Sequence, residues 1–428
     1  MRPLRTYVDV LRSMSRESRA YLWVGGAFDY MWFGVYLIGF NLYLLRLGFS
    51  PTLIGVVWGS AIGVYAVMTL IFGYLFRRSA VRWLVVWGIL LNAICIVGSI
   101  SASLVPAAMQ PSWVIGFNCV SWVGGALFTV GRIPYLSAAA PPGRRVETFA
   151  LERMWGVSLG FVGALVTAVL PHGVALVFGF SIDDPGPYAL TVFTAPIFEV
   201  VAVYVLVRSF RGAPALSDGD DEDEAEQDNG TGPAAKGSPV VKMIVFSVFA
   251  AVFALATAPL YYLFNLYMTD GLAATASTTA IVMGLGRFVS LPVTFLLPIL
   301  TQRWSVRRVL SAIAILFGLV LVPMAMIPVW FVAGLCFLIA SPLMDSSEPV
   351  FDVYCMESVP IAWQTRVAGM TLTASYCAQS AGGFAGGVVI KHYGYLVLFL
   401  GAAVLAVTAG LLLLAARSLS GTERATQP

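Results

Sequence analysis

Twelve apolar segments, each about as long as a membrane-crossing helix, determine what this chain can fold into. A helix needs about 20 mostly apolar residues to cross the hydrocarbon core of a bilayer. Six such segments precede a polar gap, and six follow it. They lie at 21–45, 52–76, 83–104, 113–138, 147–170, 188–207, 241–268, 276–300, 308–325, 327–356, 366–390 and 393–416. The sequence therefore predicts an all-α integral membrane protein with twelve transmembrane helices, numbered one to twelve in chain order.

The composition excludes most soluble classes of protein. Only 11% of the residues are charged and 59% are hydrophobic, whereas soluble globular proteins carry about 25% charged residues. The net charge of +3 is spread over loops and offers no basic face for nucleic acid. The five cysteines and two histidines lack the spacing of a zinc site. We therefore expect no nucleic acid partner, no metal and no cofactor.

The placement of Arg and Lys orients these helices. Of the 25 basic residues, twenty fall on one side of the membrane, two on the other (Arg46 and Lys391) and three inside helices (Arg132, Arg153 and Arg287). Cytoplasmic loops carry the excess of positive charge in membrane proteins. We therefore expect both termini to be cytoplasmic and the protein to lie in the cell (cytoplasmic or inner) membrane. The N-terminal segment is basic and broken by charges, unlike a cleavable signal peptide.

A repeat relates the two halves of the chain. Phe40-Asn41-Leu42-Tyr43 near the end of helix one recurs as Phe264-Asn265-Leu266-Tyr267 near the end of helix seven, at an offset of 224 residues. Two arginines after helix two match two after helix eight at an offset of 226. Repeats of six helices keep the same membrane orientation, so a pseudo-two-fold axis along the membrane normal relates them.

This repeat divides the chain into five predicted parts. They are a basic cytoplasmic segment at 1–20, an N-terminal six-helix bundle at 21–208, a linker at 209–240, a C-terminal six-helix bundle at 241–416 and a cytoplasmic tail at 417–428. The linker carries eight Asp and Glu residues among Gly, Ala and Pro. Such a composition is typical of disordered segments, so we expect an acidic disordered tether.

With this layout the sequence resembles the major facilitator superfamily over essentially its whole length. In that family the loop between helices two and three reads GxxxDRxGR[RK]. Here it contains Gly73, Arg77, Arg78 and Arg82, with Arg77 in place of the Asp and Ala80 in place of the second Gly. The resemblance implies secondary active transport by alternating access, with this loop as the conformational element. It also implies that one chain completes the fold as a monomer.

Ionisable residues inside the helices are the candidate functional residues, because a charge in the membrane is expensive and rarely kept without a role. Asp29 in helix one and Arg132 in helix four each lie about eight residues from the cytoplasmic end, which is roughly 12 Å deep at 1.5 Å per residue. We expect them to form an ion pair. Proton-coupled members of the superfamily carry a helix-one acid facing a helix-four Arg, so the resemblance implies proton coupling. The alternative is a static pair that pins two helices.

Helix ten carries Asp345, Glu348 and Asp352 at a spacing that places all three on one face. Three aligned carboxylates cannot all ionise cheaply in a low dielectric, so we expect at least one to carry a proton near neutral pH. Arg287, at a similar depth in helix eight, is the expected counter-ion of Asp345. Asp352 is expected to be solvated near the cytoplasm, which leaves Asp345 and Glu348 as the buried pair.

Three further charged residues lie in helices five and six. Glu152 and Arg153 are near the cytoplasmic end of helix five, where a gate or snorkelling is favoured over substrate contact. Glu199 lies near mid-depth in helix six. Across all these positions six acids face three Arg. A net negative cavity favours protons and cationic or neutral solutes over anions.

Aromatic and amide side chains on helices one and seven are the candidates for the wall of a substrate cavity. Aromatic walls suit planar hydrophobic or cationic ligands, and they suit sugars equally well. Interfacial and lipid-facing packing is the alternative for several of them. The predicted cavity residues are Trp32, Tyr36, Asn41, Tyr261 and Asn265.

Together these features predict a secondary active transporter and not an enzyme, since no nucleophile–base pair or metal constellation is evident. We expect proton-coupled export of hydrophobic or cationic organic compounds, as in multidrug antiporters. One alternative is a proton symporter that imports a sugar-like or other small neutral solute. A further alternative is a lipid flippase or facilitator on the same fold. The expected partners are a small-molecule substrate, protons and the lipid bilayer.

Overall fold

The computed structural model describes residues 11, 13–75, 81–139, 145–210, 238–359 and 361–415. Across these ranges the chain is helical and contains no strand. The predicted linker at 209–240 and the tail at 417–428 lie almost wholly outside the described residues, as do Arg77 and Arg78. The division into the parts predicted from the repeat therefore stays a prediction.

The helices of the first half begin with α1, which is capped by the Ser15 side chain accepting a hydrogen bond from the Ser18 amide. A π-helical segment, Tyr30–Phe40, interrupts α1, and a short 3-10 helix, Ser101–Leu104, follows α3. The six helices are α1 Arg16–Arg46, α2 Pro51–Leu75, α3 Val81–Ile100, α4 Gln110–Ala139, α5 Arg145–Phe178 and α6 Pro185–Ser209.

The second half begins with α7, which is followed by the short helix Phe264–Leu266 and a second π-helical segment, Tyr267–Gly271. One continuous helical stretch, Ile361–Ala415, is broken at Gly394, whose φ is 78°. The six helices are α7 Pro239–Tyr262, α8 Ala276–Arg303, α9 Val306–Met326, α10 Trp330–Ser358, α11 361–393 and α12 395–415.

The lengths of the helices agree with twelve membrane crossings. Within the described ranges, ten helices are long and apolar enough to cross a bilayer. The last of these, Arg366–Ala415, has 50 residues, which is about 75 Å of helix against about 30 Å of hydrocarbon. It therefore makes two crossings that meet at Gly394. The 28-residue helix α8 adds one more crossing.

The described chain groups into two compact units. The first contains Met1–Ser50, Val67–Asp223 and Ala276–Gly284, and the second contains Pro51–Ala66, Glu224–Thr275 and Leu285–Pro428. The first part of α2 thus belongs to the second compact unit, and the first part of α8 belongs to the first. Each candidate cluster described below lies within one of these units.

The repeated tetrapeptide makes the same contact in both halves. The Tyr43 hydroxyl donates a hydrogen bond of 2.7 Å to the carbonyl of Ile100, the last residue of α3. The Tyr267 hydroxyl donates one of 2.8 Å to the carbonyl of Met324, near the end of α9. Donors and acceptors are both separated by 224 residues. The carbonyls at the end of a helix lack partners within it, so each Tyr satisfies one of them.

Close contact between α1 and α5 depends on glycine. A Cβ placed on Gly34 would lie 2.6 Å from both the Gly160 carbonyl and the Gly163 Cα. Small residues let helix backbones approach in membrane proteins, where apolar side chains are no better solvated by protein than by lipid. These glycines therefore fix the spacing of α1 and α5, which sets the surroundings of Asp29 and Glu152.

Candidate functional site

A buried ion pair joins α4 and α5 in the first compact unit. Arg132 donates from Nε to Glu152 Oε1 at 3.0 Å and from Nη2 to Oε2 at 2.7 Å. Glu152 is 3% exposed. The parallel bonds are the bidentate geometry that matches guanidinium to carboxylate. Glu152, and not the predicted Asp29, therefore occupies the fork of the Arg132 guanidinium.

Room for this pair comes from α1. A Cβ on Gly25 would lie 2.9 Å from Glu152 Oε1, so the absence of a side chain there admits the carboxylate. Asp29 is buried one turn further along α1, where it lies against Gly156 of α5. It also interacts electrostatically with Arg132. One guanidinium thus serves two buried acids, of which Glu152 makes the hydrogen bonds.

A second buried ion pair joins α8 and α10 in the second compact unit. Arg287 Nη1 donates to Asp345 Oδ1 at 2.6 Å, and Ser290 Oγ donates to Asp345 Oδ2 at 2.7 Å. The Tyr261 hydroxyl lies 3.4 Å from Asp345 Oδ1, and its ring lies 5.8 Å from the Arg287 guanidinium carbon. This is the counter-ion expected from helix depth, and both carboxylate oxygens are satisfied.

The remaining acids of α10 are Glu348, which was expected to be buried, and Asp352, which was expected to be solvated. Asp345 is buried, but Glu348 and Asp352 are both exposed in the protein. The predicted buried pair of Asp345 and Glu348 is therefore wrong as to Glu348. The reason is that Asp345 faces α8, while Glu348, one turn further along, lies near tyrosines on α7 and α11 instead of near an Arg. It interacts electrostatically with Tyr262 and Tyr376.

Most predicted cavity residues are packed inside the protein. Tyr36 is 1% exposed and donates to Asn118 Oδ1 at 2.8 Å. Asn41 and Asn265 are 1% and 2% exposed, so they do not line an open cavity. Their burial follows from the tetrapeptide, which anchors α1 and α7 to neighbouring helices. Trp32 and Tyr261 are half-buried and stay candidates for the wall.

The other predicted residues are scattered. Arg153 is half-buried on α5. Glu199 is fully buried on α6, and neither of its carboxylate oxygens has a hydrogen-bond partner among the described residues. Gly73 lies in the last turn of α2. Asp352 is exposed near the end of α10.

Glu17 is a site residue that the sequence analysis missed. Arg82 at the start of α3 donates to both of its carboxylate oxygens, at 2.8 Å and 2.7 Å, and the Tyr135 hydroxyl donates to Oε1 at 2.8 Å. Glu17 is 6% exposed. Because Glu17 lies among five arginines in 1–20, the sequence favoured a solvated position for it. The available signal was an acid placed in the first turn of the first apolar helix.

The chemistry available here is ionic rather than nucleophilic. Within the described part of the chain, no three His, Cys, Asp or Glu side chains are grouped to hold a metal ion. What the structure offers is two Arg–carboxylate pairs, each with a buried acid and each linking two helices. Neutralising Asp345 leaves the buried Arg287 guanidinium without this counter-charge, which costs several kcal/mol unless the helices rearrange. Arg132 is half-buried and still has Asp29 beside it when Glu152 is neutralised.

Comparison with known proteins agrees with this architecture. The family model described as Major Facilitator Superfamily matches residues 22–383. No curated protein matches the chain. Among solved structures, a D-xylose-proton symporter superposes with a TM-score of 0.71 at 15% identity, covering 92% of this chain and 96% of its own.

Other solved structures resemble it to a similar degree. The nucleoside transporter NupG has a TM-score of 0.67 at 15% identity, covering 93% of this chain and 98% of its own. A POT family transporter in complex with 5-aminolevulinic acid has a TM-score of 0.69 at 14% identity, covering 97% and 100%. These likenesses establish the fold. Since the family model spans most of the sequence, this chain belongs to the major facilitator superfamily.

Proposed function

We propose that this protein is a proton-coupled secondary transporter that exports hydrophobic or cationic organic compounds by alternating access. The observation that carries the proposal is the buried pair of Arg287 and Asp345, with Asp345 accepting hydrogen bonds from both Arg287 and Ser290. A carboxylate held in this way is stable when ionised and loses its partner's attraction when it gains a proton.

The coupling step follows from that difference. With Asp345 ionised, the pair ties α8 to α10. When Asp345 takes up a proton, the attraction to Arg287 falls, and the state in which the two helices separate becomes relatively more favourable. Proton uptake on one side of the membrane and release on the other then biases the alternation between states. The pair of Arg132 and Glu152, with Asp29 beside it, offers the same chemistry in the first compact unit.

Import of a neutral solute by proton symport uses the same ion pairs and remains the rival function. The acids and aromatic rings serve both directions of transport. The net excess of acid over Arg favours a cation, because a neutral sugar gains nothing from the extra negative charge. A lipid substrate on the same fold is the third candidate. It predicts that neither a cation nor a neutral solute triggers proton movement.

The test uses the full chain in proteoliposomes that contain a trapped pH dye, with an imposed proton gradient. Lipophilic cations, sugars and amino acids are added one at a time. We expect proton efflux driven by cations, and its loss in Asp345→Asn. The matched control is Asp183→Asn, which removes the acid from an exposed Arg–Asp pair of the same type, since Arg46 Nη1 lies 2.8 Å from Asp183 Oδ1.

Three outcomes would change the conclusion. Proton uptake that accompanies a sugar or amino acid would make the protein an importing symporter. Unchanged coupling in Asp345→Asn would remove this residue from the coupling machinery. No proton movement with any solute, together with lipid movement between leaflets, would favour a flippase.

A further inference from the structure

A group of tyrosines lies beside the face of α10 that carries Glu348, all within the second compact unit. Tyr65 of α2 meets Tyr376 of α11 edge to face, with ring centroids 4.8 Å apart. Tyr262 of α7 packs against Trp58 of α2 at 5.6 Å and against Tyr261 at 5.8 Å. Three helices thus contribute rings to one aromatic wall. We call Tyr65, Tyr261, Tyr262 and Tyr376 the tyrosine wall.

Glu348 is the charged group at this wall. It is exposed, and among the described residues it makes no hydrogen bond or ion pair. Asp345, one turn away on the same face, is buried and has its two oxygens occupied by Arg287 and Ser290. These two acids therefore differ in availability, and Glu348 is the one of the pair that is left to meet a charge from outside the protein.

Two hydroxyls of the wall are already engaged. The Tyr262 hydroxyl donates to Gln379 Oε1 at 2.6 Å, and the Tyr261 hydroxyl donates to Asp345 Oδ1 at 3.4 Å. A sugar needs free donors and acceptors for its several hydroxyls. Tyr65 and Tyr262 are buried, so the ring surface of the wall comes from the half-buried Tyr261 and Tyr376. Ring surface attracts cations within about 6 Å of a ring centroid. The Arg287 guanidinium, 5.8 Å from the Tyr261 ring, shows that one member of the wall already holds a cation.

We propose that Glu348 and the tyrosine wall form a binding site for an organic cation, with the carboxylate supplying the counter-charge and the rings supplying a desolvated contact surface. Tyr376, which is half-buried, and Glu348, which is exposed, provide the accessible part of the site. The proposal rests on the proposed function only in treating this ligand as the transported substrate. Binding itself requires neither a proton gradient nor movement between states.

The test is equilibrium binding of radiolabelled tetraphenylphosphonium to the purified full-length protein, with protein-free detergent micelles as the blank. Radiolabelled tetraphenylborate, which has the same shape and the opposite charge, is measured in separate samples and reports hydrophobic contact alone. We expect phosphonium to bind and borate to bind much more weakly. Glu348→Gln should raise the Kd by at least about tenfold, and Glu348→Asp should give an intermediate value.

Variants of Tyr376 separate the contribution of its ring from that of its hydroxyl. Tyr376→Phe keeps the ring and should bind like the parent, whereas Tyr376→Leu should weaken binding several-fold. Size-exclusion profiles identify any variant that does not fold. A parent-like Kd in Glu348→Gln, or borate binding as tight as phosphonium binding, would overturn the proposal, as would a failure of the parent to bind phosphonium.

Failure of the site and failure of the transport function give different results. Phosphonium binding that depends on Glu348, without proton movement in liposomes, would keep the site and reject the coupled transport. Proton-coupled uptake of a neutral solute by a protein that does not bind phosphonium would reject the site and keep the proton-coupled transport. Asp345→Asn should abolish coupling while leaving phosphonium binding that still depends on Glu348.

Discussion

The buried pair of Arg287 and Asp345 should stabilise the fold only as a pair. Asp345→Asn leaves the Arg287 guanidinium, which is 9% exposed, with no carboxylate at its Nη1. Removing one partner of a buried ion pair costs about 3–5 kcal/mol. Arg287→Met alone leaves the Asp345 carboxylate with the Ser290 hydrogen bond and should cost a similar amount. The double variant removes both charges, and its cost should fall well below the sum of the two.

The chain carries its own reporter for this measurement. Cys336 on α10 and Cys95 on α3 are buried free thiols, so they react with a thiol-sensitive fluorescent dye only when the protein unfolds. Half-buried Cys119 and exposed Cys377 are replaced by Ser in every variant to remove the background. The shift in Tm per kcal/mol falls with chain length, so we expect each single variant to unfold about 5 °C below the parent. The double variant should recover at least half of that loss.

Additive effects would refute this reasoning. If the double variant is destabilised by the sum of the single losses, the two side chains do not depend on each other, and the 2.6 Å contact has no energetic meaning. A parent-like Tm in Asp345→Asn would equally show that Arg287 is compensated by another group. In either case the proposed link between protonation of Asp345 and helix movement would lose its basis.

Three further changes probe the packing around the site. Gly156→Ala should lower the Tm and impair transport because its Cβ would overlap Asp29 Oδ2. Gly173→Ala on the same helix meets open space and should be neutral. Dye unfolding measures the Tm of both variants, and proton flux measures their transport. Tyr267→Phe should cost about 1 kcal/mol by removing one buried hydrogen bond, and Tyr43→Phe should cost more, because the Tyr43 hydroxyl also accepts a hydrogen bond of 3.0 Å from the Ser103 amide; a smaller loss of Tm in Tyr43→Phe than in Tyr267→Phe would contradict this. Glu17→Gln should lower the Tm by weakening the bidentate contact with Arg82 while leaving the phosphonium Kd unchanged, and a shifted Kd would contradict a purely structural role.

The membrane-spanning helices could be predicted because they depend on one-dimensional properties. Segment length and hydropathy follow directly from the order of residues, and the bilayer sets the required length. The contact of Arg287 with Asp345 could also be predicted, since helix depth placed the two residues at one level and α8 offered no other charge there. The depth of a residue increases linearly along the helix, so a prediction of depth does not depend on the rotation of the helix about its axis.

Rotation about the helix axis is what the sequence could not supply. Asp29 and Glu152 both lie near the depth of Arg132, and only the direction of each side chain decides which one fills the guanidinium fork. The π-helical segment Tyr30–Phe40 adds to the difficulty, because its i→i+5 bonding changes the angle between successive side chains. Tyr36 and Asn41, which were predicted to line a cavity, are buried in the protein instead.

The repeated tetrapeptide shows why an internal repeat is better evidence for architecture than for a ligand site. A duplicated bundle keeps the contacts that hold its helices together, since both copies need them for the same packing. Tyr43 and Tyr267 are such contacts, each closing the end of a neighbouring helix. A substrate occupies one position between unequal surroundings, so the residues that recognise it need not be duplicated. The positions where the two halves differ in chemistry are therefore the ones to mutate first in the search for the substrate.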